Sequence, residues 1–106
     1  MAEIHSYRPS LKEPDSMTLC AELSLYPLCA DYVPPIQAFI DDLKAYAGIT
    51  IVSNAMSTQL RGEHDAVMAA VSGALRASTE RYAAQVLVCK FIPLPLDIDP
   101  LAQRDD

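Results

Sequence analysis

The chain has 106 residues, 51% of them apolar, and a formal charge of −6. That length fits one compact domain and not two, with a core only marginally self-sufficient, so self-association would be a cheap source of added stability. The acidic balance argues against nucleic acid and anionic membrane surfaces as partners, because both ask for a basic patch.

Cys20, Cys29 and Cys89 are odd in number and show no CxxC or Cys/His spacing for zinc. No signal-peptide pattern or 18-residue apolar run is present, so the expectation is a cytoplasmic protein with three reduced thiols and no membrane insertion. Cys20 and Cys89 fall inside strand patterns as apolar fillers, and Cys29, in a turn, is the thiol to test for reactivity.

Residues 1–17 carry scattered charges without periodicity and read as a flexible N-terminal arm. Residues 18–96 read as the folded domain, and residues 97–106 as an acidic tail. Within the domain, 20–28 predicts a strand with Ala21, Leu23 and Leu25 on one side and Cys20, Glu22, Ser24 and Tyr26 on the other. Pro27 ends it, since proline cannot donate to a ladder. Asp31-Tyr32-Val33-Pro34-Pro35 opens a helix, where early prolines are tolerated. Ile36, Phe39, Ile40 and Leu43 repeat at helical spacing, and Gly48 stops the pattern.

Residues 49–54 predict a second strand, paired as a hairpin with a third that runs from Met56 or Ser57 to Arg61 and is broken by Gly62. Glu63 and Asp65 place negative charge at the start of a second helix through Val67, Val71, Ala74 and Leu75, with Gly73 as a close-packing or weakening point. A fourth strand covers 84–92 and stops at Pro93 and Pro95.

The order β-α-β-β-α-β with right-handed crossovers predicts an α+β, ferredoxin-like sandwich: a four-stranded antiparallel sheet with both helices on one face. The other face is left bare. In a chain this small such a face marks an interface, so a homodimer or higher oligomer with facing sheets is expected.

The segment Asn54-Ala55-Met56-Ser57-Thr58-Gln59-Leu60-Arg61-Gly62-Glu63-His64-Asp65 carries too many polar side chains for a strand that only builds a core. Alternation separates Ser57, Gln59 and Arg61 from Met56, Thr58 and Leu60. We read it as a binding surface. Catalysis has little support, because neither His5 nor His64 has a Ser or Cys at motif spacing, His64 and Asp65 are expected on different helix faces, and there is no phosphate loop, GxGxxG or HExxH. No cofactor is implied.

Ser24-Leu25-Tyr26-Pro27-Leu28 together with Ser57-Thr58-Gln59-Leu60-Arg61-Gly62 resembles the YkoF-like thiamin and hydroxymethylpyrimidine-binding family. In that family an SLYPM-type first strand is followed by an STxLRG strand and an acidic helix start. Asp31-Tyr32 is similar to its DY or DF, and Asn54-Ala55-Met56 to the related small single-domain thiamine-binding group. The likeness covers about residues 19–92. It implies a ferredoxin-like domain that binds thiamin or its pyrimidine precursor without turning it over, in uptake or salvage of the vitamin. The YkoF type is a tandem pair, so a homodimer would stand in for it here.

Such a ligand asks for hydrogen bonds to its aminopyrimidine, apolar or aromatic walls, and negative or π-rich surroundings for its thiazolium. Ser24, Asn54, Ser57, Thr58 and Gln59 could meet the first demand, Tyr26, Tyr32 and Met56 the second, and Glu22 and Asp31 the third. Plainer readings stand beside these: Glu22 pairing with Arg61, Tyr26 as strand-end packing, Ser57 and Thr58 as ordinary strand residues, Met56 as core filler and Asn54 as a turn former, with Asp65 nearby as a helix-start charge. The competing function is an oligomeric regulatory or interaction module with no vitamin ligand, followed by a small cofactor-free enzyme.

Overall fold

The computed structural model describes residues 17–98; the expected arm lies outside them save Met17, as does the expected tail beyond Ile98. The elements are β1 (Thr18–Pro27), α1 (Val33–Lys44), β2 (Ile49–Ser53), β3 (Thr58–Glu63), α2 (His64–Arg81) and β4 (Gln85–Ile92). The strands lie in the order β2-β3-β1-β4 with every neighbouring pair antiparallel. This is the ferredoxin-like βαββαβ sandwich that the element order predicts.

Period-two alternation sends Leu19, Ala21, Leu23 and Leu60 from the sheet against Phe39, Leu43, Val67, Ala70, Val71 and Ala74 from the helices. Fully burying each of the larger side chains is worth about 1.5–3 kcal/mol. The helices are tied to each other by Arg81, whose Nη2 donates to Asp42 Oδ1 at 2.9 Å and Oδ2 at 2.8 Å.

Gly62 does not break β3. It pairs with Leu19 and Ile49, and a Cβ on it would lie 2.7 Å from the Gly48 carbonyl oxygen. The glycine is there so that the start of β2 can approach, and β3 runs on to Glu63. Gly48 itself has φ +83°, the left-handed conformation that lets the chain leave the turn after α1 and enter β2. Gly73 is a close-packing point, because the Tyr46 hydroxyl occupies the place of its missing Cβ.

The register also corrects the expected Glu22–Arg61 pair. Glu22 stands opposite Gln59 and Arg61 opposite Cys20, so the cation beside Glu22 is Lys90 of β4, with Nζ 3.6 Å from Oε1. The second sheet face is not wholly bare. Cys20 belongs to it, yet is only 2% exposed, because residues after β4 cross it and its Sγ–H donates to the Leu94 carbonyl at 3.1 Å. Farther along, Asp97 and Ile98 close a small hollow over Thr50 and Arg61. The part of this face that no described residue covers carries Tyr26, Val86 and Val88, all exposed.

Candidate functional site

β1 outruns β3. It pairs with β3 only as far as Leu23↔Thr58, but with β4 as far as Pro27↔Gln85. From Ser24 to Pro27, therefore, one flank of the strand has no neighbouring strand among the described residues. The chain that would have filled it turns away at Asn54, whose Oδ1 accepts from the N–H groups of Met56 (2.8 Å) and Ser57 (3.1 Å). This is an Asx turn, which satisfies the bend without a positive φ.

The gap opens into a cleft of about 400 Å³ between the end of β1, the 53–58 turn and the first turns of α1. Its wall is Leu23, Leu25, Ile36, Phe39 and Ile40; its rim includes Ser24, Tyr26, Tyr32, Asn54, Met56, Ser57 and Thr58. Seven of the ten residues expected at the site thus line one cavity. Tyr26 and Tyr32 are 54% and 56% exposed, which leaves ring surface available, and Met56, at 86% exposed, is no core filler. Thr58 is buried, with its hydroxyl 2.8 Å from Ser53 Oγ.

Glu22, Asp31 and Gln59 do not line the cleft. Glu22 and Gln59 are cross-strand partners on the opposite sheet face. They reach the rim only through Ser57, whose Oγ donates to Glu22 Oε2 at 2.9 Å and accepts from Gln59 Nε2 at 2.8 Å. Asp31 is exposed in the link before α1, where its carbonyl accepts from Cys29 Sγ at 3.3 Å. Among the described residues, therefore, the cleft lining holds no acidic side chain.

The apolar wall was missed because Ile36, Phe39 and Ile40 have the spacing of a core-facing helix stripe. Only Phe39 is fully buried; the two isoleucines are half-buried beside it and face the cleft. Leu25 was missed because strand alternation puts it on the inner face, and nothing in sequence says where β3 stops.

Elsewhere, His64 Nδ1 lies 2.9 Å from Asp65 Oδ1, so the two side chains meet despite being consecutive at the helix start. Burial pushes the Cys89 thiol up from its ordinary value. Among the described residues no three His, Cys, Asp or Glu side chains gather as a metal site, and no helix is long and apolar enough to cross a membrane.

Fold and cleft together define a single-sheet ferredoxin-like sandwich with an apolar, polar-rimmed cavity where its central strand outruns a neighbour. The profile of the YkoF-related family matches residues 18–92, and the chain belongs to that family. The same fold occurs in a hypothetical protein from Methanocaldococcus jannascii, with TM-score 0.67 and 22% identity over 83% of this chain and 92% of that one. It occurs too in a candidate thiamine biosynthesis/salvage protein from Thermotoga maritima, with TM-score 0.70 and 14% identity over 82% and 97%. A Streptococcus pneumoniae protein gives TM-score 0.70 and 21% identity over 85% and 100%. Among curated proteins there is no significant match.

Proposed function

We propose that this protein captures thiamin or its hydroxymethylpyrimidine precursor non-covalently, as a cytoplasmic binding protein in vitamin uptake or salvage, and does not turn it over. The observation that carries the reading is the cleft: about 400 Å³, walled by Leu25, Ile36, Phe39 and Ile40 and rimmed by hydroxyls, an amide and two tyrosines. That volume lies in the range of small-molecule sites, and apolar walls with a few polar groups are their usual make-up. Membership of the YkoF-related family and a fold shared with a candidate thiamine biosynthesis/salvage protein support the same ligand class.

In this reading the rings lie against the apolar wall and Ser24, Asn54, Ser57 and Thr58 serve the polar edge of the pyrimidine. The cationic ring is received by the faces of Tyr26 and Tyr32, because Glu22 and Asp31 lie outside the cleft. Glu22 and Gln59 act through Ser57 by fixing its hydroxyl.

Titration calorimetry with thiamin and with hydroxymethylpyrimidine tests this. Saturable heat at micromolar concentration is expected for at least one of them, with Tyr32→Ala weakening it about tenfold. Absence of heat with both would remove the ligand assignment.

A second reading, an interaction module without a vitamin ligand, is favoured by Tyr26, Val86 and Val88 standing exposed on one sheet face. The two are compatible where that face pairs two copies of the chain. Sedimentation of the free protein as a dimer or larger, with no calorimetric response, would leave the module alone standing.

A further inference from the structure

The spare backbone groups of β1 have a direction that two hydrogen bonds fix. In an antiparallel sheet a residue sends its N–H and C=O to the same neighbouring strand, and successive residues alternate between neighbours. The His64 N–H donates to the Met17 carbonyl at 2.9 Å, on the β3 side, and the Leu28 N–H donates to the Ala84 carbonyl at 2.9 Å, on the β4 side. Odd-numbered residues of β1 therefore face β3, and even-numbered ones face β4.

Leu23 meets Thr58, and the next odd residue is Leu25. Its counterpart in the same register would be Met56, but the Met56 N–H is held by Asn54 Oδ1 and the chain has left the ladder. Leu25 lines the cleft, and no described residue bonds to the donor or acceptor it turns that way. Pro27, the next odd residue, has no N–H to leave unpaired, which is why a proline is tolerated as the last residue of this strand. The cleft thus contains one complete donor–acceptor pair on a half-buried residue, among apolar side chains where an unmet backbone group is costly.

We infer that the Leu25 backbone edge is the element that selects the ligand's ring: a planar heteroaromatic carrying an amine next to a ring nitrogen. The Leu25 carbonyl accepts from the amine and its N–H donates to the ring nitrogen, the ring taking the place a further β3 residue would have held. This rests on the vitamin-binding reading above and adds a specificity to it. A ring with a carbonyl in place of the amine sets acceptor against acceptor and donor against donor.

Two measurements on the full chain test it: calorimetry with thiamin and with its analogue bearing that carbonyl, and amide spectra of the labelled protein during the thiamin titration. The analogue is expected to bind at least about tenfold more weakly, and the Leu25 amide resonance to move downfield and exchange more slowly with thiamin. Equal affinity for the two compounds, or a Leu25 amide that does not move, overturns the inference and leaves vitamin binding standing. No binding of thiamin or hydroxymethylpyrimidine overturns both.

Discussion

Ser57 Oγ donates to Glu22 Oε2 at 2.9 Å, joining the rim of the cleft to a carboxylate on the opposite face of the sheet. The same oxygen accepts from Gln59 Nε2 at 2.8 Å, so one half-buried hydroxyl serves two neighbours. Ser57→Ala removes a partner from both at once. A loss of about 1–2 kcal/mol is expected, and each kcal/mol lowers Tm by roughly 4–8 °C in a domain of this size. Gln59→Ala should cost less than Ser57→Ala, since it leaves the Glu22 bond intact. Thermal unfolding of the two variants checks the order, and a Ser57→Ala protein melting with the wild type would mean the network contributes nothing.

Gly62→Ala is predicted to destabilise by about 1–3 kcal/mol. The new Cβ would meet the Gly48 carbonyl oxygen at 2.7 Å and Ile49 Cα at 3.3 Å, and these are backbone atoms that no rotamer change can move. The effect should appear as a lower denaturant midpoint at unchanged slope. A midpoint within error of the wild type would show that the start of β2 shifts freely.

The contrast between Gly62 and Leu60 shows how far the sequence could be read. Leu60 follows local alternation and is buried as alternation requires. Gly62 looks like a breaker in sequence because its real reason, the Gly48 carbonyl in the turn that enters β2, is non-local. The six elements and their order were legible for the same reason as Leu60, since each has its own period. Register was not: Glu22 opposite Gln59 instead of Arg61 depends on where two strands start relative to each other. Met56 failed because alternation was carried one step into a turn whose Asn54 bonds take the chain out of the ladder. The Leu25 backbone edge that faces the cleft has no side-chain signature at all.

Glu63, not Asp65, caps α2. Its Oε1 accepts from the N–H of Asp65 at 3.0 Å and of Ala66 at 3.3 Å, two donors that would otherwise be unpaired at the helix start. Glu63→Ala should cost about 1 kcal/mol, and Asp65→Ala only about 0.3–0.5 kcal/mol through the helix dipole. Urea unfolding of both variants separates them. Equal losses would mean that charge near the terminus, and not the hydrogen-bonded cap, is what stabilises α2.

The three thiols should separate by accessibility and by pH. Cys29 is exposed, Cys20 is buried beneath the segment after β4, and Cys89 is partly buried on the helix side of the sheet. Alkylation of the native protein followed by mass spectrometry should modify Cys29 first, with Cys20 protected until unfolding. Cys89 also carries a pH signature. Burial raises its pKa above the ordinary 9.0, so in alkaline solution the unfolded chain releases this proton before the folded one does. The contribution is fully present below 9.0 and is lost as pH rises from there through the higher folded-state value, because over that interval the folded state binds more protons than the unfolded state. Replacing the thiol, as in Cys89→Val, removes the slope. The Tm of the variant relative to wild type should therefore climb between pH 8 and pH 10, whatever its offset at neutral pH. A difference that stays constant across that interval would show that the Cys89 thiol ionises as readily in the folded protein as in the unfolded chain.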